Sequence, residues 1–543
     1  MPALMLPLVV PALRPPFSPS QHSEARTAWT PPSCSATVAQ QSAKLGNAAL
    51  HKRQPNDQRQ PKMGAKVHPG GKRPPMTGNE AHVFVKSPNA ERAAQLCQIA
   101  ERCGFAASIH PDTDKCLEEL GELMKDNRVL PSAIIVDIYD ENGDGMVDED
   151  EMCWPLLRMV QRPHAPFDER LKRVFVCVIS RDVAESPRLT LDTLGAGAKM
   201  VTDNDEAVKE ALDLLRLTSV KGKGVRGESS GTKRGEAKCP VCQLPGLSPP
   251  LLYGHYSLCH VTEPGPDGTC PLCPQVCRAG HGFTPFARHL EDCHAPDGLD
   301  ENQDGHISAE ELRNSMKKMV NTKAAKKNLE DMFRASAVTI GPEKYAAYAW
   351  LVVRRPSDGK YLMVLESAHT SGCHGKPRYW LPAGKCDPGE TLVEAAIRSC
   401  AEDTHVNVKP MGVLRLMLEP SAKKSLRVIL YAEPENDDAS IVVPKSVPDF
   451  HSVGAIWVDP GDLEDLNENE YRNPDPPKFF PGVEEGTIKA HPLDTDAWNN
   501  MESVVKELTA SPDPAKRDSM IPSAWDACER TYKSACHMEA KAK

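Results

Sequence analysis

A chain of 543 residues has room for about three or four domains. Its 49 prolines, 35 glycines and negative mean hydropathy assign a fair share of it to linkers rather than core. A formal charge of −10 argues against non-specific binding of nucleic acid by the whole chain, and the longest apolar stretch, residues 1–13, is too short and too interrupted by proline to span a bilayer.

Residues 1–79 hold ten Lys or Arg against two acidic residues and show no apolar period. They read as a disordered basic leader, and their composition fits an organelle transit peptide and a plain tail equally well. Eighteen cysteines in so long a chain do not suggest a disulfide scaffold. Several stand at metal-ligand spacing instead, which places the protein in a reducing, intracellular compartment.

Residues 80–218 alternate apolar runs with helical patterns. Residues 82–85 are apolar, and 89–104 carry helical spacing through Ala93, Leu96, Ile99 and Ala100. The runs 133–138, 174–179 and 198–201 follow, and then the amphipathic stretch 205–217. Such alternation predicts a parallel, doubly wound sheet. Asp137 and Ser180 close two successive runs, and in this they resemble the phosphoacceptor and hydroxyl positions of response-regulator receiver domains. The resemblance implies an acidic pair after the first strand and a lysine near Thr202-Asp203. Here the first place reads Val85-Lys86-Ser87 and the lysine is missing, so the expectation is a receiver-like fold without phosphoryl-transfer chemistry.

Residues 140–151 match a twelve-residue EF-hand loop. Asp140, Asn142, Asp144 and Asp148 offer side-chain oxygens, Met146 a carbonyl and Glu151 a bidentate carboxylate, with Gly145 at the sharp turn. The same positions recur at Asp300, Asn302, Asp304, His306, Ser308 and Glu311, with Gly305 at the turn. Both loops are expected to bind calcium, although the first also fits a receiver's strand–helix connection.

After a Gly/Ser/Lys linker at 219–237, residues 238–295 carry a repeated zinc module. Cys239, Cys242, His255 and Cys259 form one set, and Cys270, Cys273, His289 and Cys293 the other. A two-residue gap lets both thiolates of a knuckle reach one ion, and an i, i+4 pair lies on one helix face. His260 and His294 follow the last cysteine of each set and are alternative ligands. Cys277 and His281 are spare donors in the second copy. The pattern resembles the Cys₂HisCys fingers that bind ubiquitin in some repair proteins, which implies a protein partner. Few Lys or Arg lie nearby, which argues against phosphate tracking. The second calcium loop and its exit helix occupy 296–335.

From about residue 345 the pattern turns to strands, at 346–353 and 361–365, joined by Pro356-Ser357-Asp358-Gly359. A glycine-rich stretch from Tyr379 to Glu390 then leads into a helix over 391–404. Gly384, Glu390, Arg398 and Glu402 fall at the offsets G-x5-E-x7-R-E-U-x-E-E-x-G-U (U aliphatic), and so this region resembles the Nudix hydrolases. The resemblance implies an α/β/α sandwich over 340–510 and a Glu390–Arg398 pair that braces loop against helix. It also implies Mg²⁺ (or Mn²⁺) bound at positions 399, 402 and 403, with a nucleoside diphosphate derivative or related pyrophosphate as substrate. Three positions depart from the signature: Ser399 replaces a glutamate, Asp403 shortens another, and His405 stands where glycine ends the helix. Two functions therefore stand side by side, a calcium-responsive hydrolase using Glu402 and Asp403, and a non-enzymatic calcium-sensing scaffold. Residues 511–543 form a tail with no readable pattern. The whole is a multidomain α/β and α+β protein.

Overall fold

The computed structural model describes residues 81–138, 152–161, 169–219, 237–263, 265–278, 286–294, 312, 337–340, 343–370, 373, 375–387, 389–419, 425–493 and 499. The leader, both calcium-type loops, most of the linker and the C-terminal tail lie outside them.

Five strands, β1 (His82–Lys86), β2 (Ala106–His110), β3 (Ala133–Asp137), β4 (Phe175–Ile179) and β5 (Met200–Thr202), form a parallel sheet in the order β2-β1-β3-β4-β5. The helices between them are α1 (Ala90–Arg102), α2 (Thr113–Lys125), α3 (Trp154–Gln161), α4 (Arg181–Glu185) and α5 (Pro187–Ala196), and α6 (Asp205–Ser219) follows β5. The central strands are buried along their whole length: β1, β3 and β4 expose almost nothing. That is why they read as unbroken apolar runs. Asn89 starts α1 by accepting from the amides of Glu91 and Arg92 at 3.0 Å each. Strand β2 and helix α2 have no counterpart in the sequence reading. Ala-Ala-Ser-Ile-His sits at the sheet edge, half exposed, and carries no apolar run.

The sulfur-rich region follows, with α7 (Pro249–His260), the short pair β6 (Gly268–Thr269) and β7 (Val276–Cys277), and α8 (Phe286–His294). Helix α7 lies along α6, and Leu252 through His260 are all buried.

The C-terminal region contains β8 (Ala337–Ile340), β9 (Glu343–Val353), β10 (Tyr361–Glu366), β11 (Arg378–Trp380) and β12 (Ala383–Lys385), then α9 (Leu392–Thr404). It continues with β13 (Val408–Glu419), β14 (Ser425–Pro434), β15 (Gly454–Val458), α10 (Asp475–Glu484) and β16 (His491–Pro492). One mixed sheet runs β12-β9-β14-β13-β16, with β8 beside β9 and with β9 and β14 parallel. A second, antiparallel sheet runs β11-β10-β15. Alternate residues of β9 divide between two cores. Ala347, Ala349, Leu351 and Val353 pack with Leu392, Ala395, Ala396 and Cys400 of α9, while Trp350 and Val352 face the layer that includes Phe479 and Phe480 of α10. Helix α9 begins with a capping box, Thr391 to Glu394. It ends at His405 in the left-handed conformation (φ 58°), the backbone state that the missing glycine would have taken.

Candidate functional site

Strand β12 and helix α9 bring the Nudix-type residues together. Arg398 reaches back from α9 with its Nε 2.7 Å from Glu390 Oε1 and its Nη2 2.9 Å from Glu390 Oε2, and that Nη2 also donates to the Lys385 carbonyl at 2.9 Å. Its Nη1 donates to Glu402 at 2.9 Å. Burial opposes this charge, yet the two glutamates hold Arg398 more firmly protonated than a free arginine. One guanidinium thus ties loop, strand and helix, the role expected of it. Gly384 is required by close approach: a Cβ there would lie 1.5 Å from Ser399 Oγ and 2.5 Å from Ser399 Cβ.

The carboxylate end is assembled differently from expectation. Ser399 is 2 % exposed, and among the described residues its hydroxyl has no hydrogen-bond partner. Asp403 keeps part of its residue surface, but protein atoms enclose its carboxyl, and that burial pushes its pKa up to about 7. His451 and Lys445 oppose the rise and Glu366 adds to it, and the Ala383 amide lies 3.4 Å from Asp403 Oδ2. Glu366 is itself raised to about 6 by burial, against the pull of Arg472 at 2.6 Å. Glu402 is engaged with Arg398. Among the described residues, the groups of three or more His, Cys, Asp or Glu donors that converge are both in the sulfur-rich region, none in this one. With a serine at position 399, the carboxylates this turn can offer magnesium are Glu402 and Asp403, two donors rather than three. Glu402 is bonded to Arg398, and burial raises the Asp403 pKa to about 7, both of which weaken the hold of these two carboxylates on a dication. A cavity of about 330 Å³, lined among others by Thr202, Arg355, Tyr379, Lys445 and Trp457, opens between the doubly wound sheet and this region. None of Gly384, Glu390, Arg398, Glu402 and Asp403 lines it.

Both zinc-type modules converge, with one change of ligand. Donor atoms of Cys239, Cys242, His255 and His260 lie within 4.8 Å of one another, and so do those of Cys270, Cys273, His289 and His294. Cys242 Sγ is 3.2 Å from His255 Nε2, and the two Nε2 atoms of His255 and His260 are 3.2 Å apart. In the second group Cys273 Sγ is 3.1 Å from His289 Nε2, and His294 Nε2 is 3.2 Å from His289 Nε2 and 3.5 Å from Cys270 Sγ. Zinc–sulfur and zinc–nitrogen bonds of about 2.3 and 2.0 Å in a tetrahedron put neighbouring donors roughly 3.3–3.8 Å apart, so both quartets fit the ion closely. The fourth donor of the first quartet is thus His260 rather than Cys259. The spacing becomes Cys-x2-Cys-x12-His-x4-His, because an imidazole at the helix end reaches farther than a thiol one residue earlier. Cys259 is buried beside His255, outside the quartet. The side chain of Cys293 is outside the described residues, and His294 takes the corresponding place. Within the first knuckle, a hydrogen bond between the two sulfurs holds Cys242 well below the usual thiol range and Cys239 above it. That leaves a thiolate facing the imidazoles.

Around Asp137 the structure explains why a dication is not expected there. Ser87 Oγ donates to Asp137 Oδ2 at 2.6 Å, and Lys86 Nζ lies 3.4 Å from the Asp137 carbonyl. A hydroxyl and an ammonium occupy the place of an acidic pair. Burial raises the Asp137 pKa, with the Ser87 bond acting against it. Ser180 is spent on capping α4, 3.4 Å from the Val183 amide. The twelve calcium-type residues, from Asp140 to Glu151 and from Asp300 to Glu311, all fall outside the described residues. The lysine that sequence reading sought near Thr202 is absent, but Lys199 at the entrance of β5 is buried in an ion pair with Glu263 of the sulfur-rich region. Only the fold could reveal that pair, since the partners are distant in sequence.

Comparison with known proteins bears on the C-terminal region. A family model described as "NUDIX domain" matches residues 345–481. "Putative nudix hydrolase 1" of Caenorhabditis elegans is 29% identical over 153 residues, covering 28% of this chain and 38% of that protein. The chain therefore spans little more than a third of that relative. Among solved structures, a NUDIX hydrolase from Nitrosomonas europaea is 20% identical, covering 28% of this chain and 95% of its own, with a TM-score of 0.22. The MutT protein from Methanosarcina mazei Go1 is 19% identical, with 27% and 96% covered and a TM-score of 0.21. With Gly384, Glu390, Arg398 and Glu402 standing on the matched strand, loop and helix, residues 345–481 are a Nudix domain.

Proposed function

We propose that the Nudix domain binds a nucleoside diphosphate derivative or related pyrophosphate and turns it over slowly, within a protein that also binds zinc structurally and calcium at its two acidic loops. The observation that carries this reading is Ser399: a buried, unpartnered hydroxyl packed on Gly384 where a metal-binding carboxylate belongs. Incubation with a panel of nucleoside diphosphate derivatives and magnesium tests it. Ligand-dependent thermal stabilisation with little phosphate release is expected, and Ser399→Glu should raise turnover. Brisk turnover by the natural chain, abolished by Glu402→Gln, defeats the binding reading. It would favour instead a hydrolase, for which the complete Glu390–Arg398–Glu402 brace is the supporting observation.

Zinc is supported by the two quartets, and native mass measurement should count two zinc ions per chain. A ubiquitin-type partner is not supported at the first module, whose helix is buried within the protein rather than presented to solvent. For a coupling of the 300–311 loop to α7, the supporting observation is Leu312. This residue follows directly on Glu311, is fully buried, and fills the space above Gly254 of α7. Calcium at 300–311 would thus be felt at α7. Limited proteolysis across 313–329 with calcium and with chelator tests this, and identical digestion patterns defeat it. The receiver-like reading of 80–218 rests on the β2-β1-β3-β4-β5 strand order and on Asp137 at the end of β3. A small-molecule phosphodonor should leave Asp137 unmodified.

A further inference from the structure

The last turn of any helix leaves carbonyls without intrahelical partners. In α9 these belong to Glu402, Asp403 and Thr404, the turn that carries the Nudix carboxylates. One segment, residues 445–453, satisfies all three. The Lys445 amide donates to Thr404 O at 2.9 Å, Lys445 Nζ to Glu402 O at 3.2 Å, and Ser452 Oγ to Asp403 O at 2.6 Å. The segment is internally tied by Lys445 Nζ to Asp449 Oδ1 at 2.5 Å and by the Asp449 amide to Ser452 O at 2.9 Å.

Part of what holds this segment lies in its own domain, where the Val453 amide donates to Leu365 O and the Ala455 amide to Lys445 O at 2.8 Å each, and part lies in another module. Phe450, 8 % exposed, packs its ring 4.5 Å from that of Tyr253 and nearly parallel to that of Tyr256, 6.0 Å away. Both tyrosines are on α7 and flank His255, a donor of the first Cys/His quartet. A second tie joins the same helix end to the exit of β10. His369 Nε2 meets the carbonyl of His260 at 3.1 Å, and the Ala368 amide donates to Val261 O at 2.9 Å. Helix α7 has a compelling need of its ion. It buries two imidazoles whose Nε2 atoms face each other at 3.2 Å and whose Nδ1 atoms have no hydrogen-bond partner among the described residues.

We propose that the first Cys/His site, loaded with zinc, positions the Nudix helix. The ion fixes α7, α7 seats Phe450, and the 445–453 segment then caps the turn bearing Glu402 and Asp403. Phe450, Lys445 and Ser452 are positioning residues in this scheme. The inference rests on the zinc reading above and adds that the ion's effect reaches residues more than 140 positions along the chain.

The test is hydrogen exchange on the full chain, read on peptides covering residues 392–405, with the zinc count followed by native mass measurement and the β3 peptide as internal control. Cys242→Ser, which removes a donor of the first site alone, should speed exchange of the last α9 turn at least tenfold while β3 stays protected. Phe450→Ala should reproduce that opening with the zinc count unchanged, and Phe450→Tyr should restore protection. Loss of the first zinc with α9 exchange unmoved overturns this inference alone, as does a silent Phe450→Ala. A natural chain that holds no zinc overturns both the inference and the reading on which it rests.

Discussion

Replacing Asp403 by Asn separates what this carboxyl does for the fold from what it could do for chemistry. Enclosure raises its pKa from the ordinary carboxylate value of 3.8 to about 7. An acid raised in the folded state is protonated there while the unfolded chain is already ionised, so folding takes up a proton between these two values. Stability due to Asp403 is therefore intact below about pH 4, declines as pH rises to about 7, and stays at its lower level above that. At about 1.4 kcal/mol for each tenfold change in protonation equilibrium, full burial would correspond to roughly 4 kcal/mol. Asp403 retains part of its surface, so about 2 kcal/mol is the reasonable expectation. Asn keeps the shape and can still accept from the Ala383 amide, but carries no charge to bury. Asp403→Asn should thus match the natural chain at pH 4 and exceed it by about 2 kcal/mol at pH 8. Because several modules need not unfold together, the assay is local: the opening free energy of residues 392–405 from hydrogen exchange across pH. A difference between the two proteins that does not change from pH 4.5 to 8.5 refutes the reasoning.

Other expectations follow from single contacts. Ser399→Ala removes an unpartnered buried hydroxyl from a helix and should stabilise the domain by about 1 kcal/mol in the same exchange assay; a loss would show that the hydroxyl has a partner. Gly384→Ala forces a methyl into Ser399 and should cost about 1–3 kcal/mol, measured by thermal unfolding of the domain's transition. Glu263→Gln strips the partner from Lys199, which is 5 % exposed, and should cost about 3 kcal/mol, read as earlier thermal loss of the sulfur-rich region.

Legibility in the sequence followed burial and fixed spacing. β1, β3 and β4 were readable because full burial demands unbroken apolar residues, and α9 because its capping residue, apolar face and charged face all agree. The edge strand β2 was not, since its buried face is partly polar, with Ser108 bonded to His82 and His110 and the His110 ring packed on Phe84. The zinc knuckles were readable to the pair, Cys-x2-Cys, because chain geometry alone brings those sulfurs together. The last ligand was not, for a helix end offers both Cys259 and His260, and only side-chain reach decides between them. The brace of Arg398 was legible from offsets, whereas the occupation of Glu402 by that brace was not. An offset records which residues share a face, and it is silent on which of them is already bound.

That last distinction decides what the Nudix domain needs in order to exist. Its loop is held by protein contacts: the Arg398 guanidinium bonds the Lys385 carbonyl, Glu390 and Glu402 at once, and the Gly384–Ser399 approach closes the remaining gap without a side chain between them. The carbonyls of the final α9 turn are capped by residues 445–453. The loop and the helix end can therefore take their shape from protein contacts alone. Among the described residues, the Cys, His, Asp and Glu donors that converge at the separations of a shared ion are those of the two Cys/His quartets.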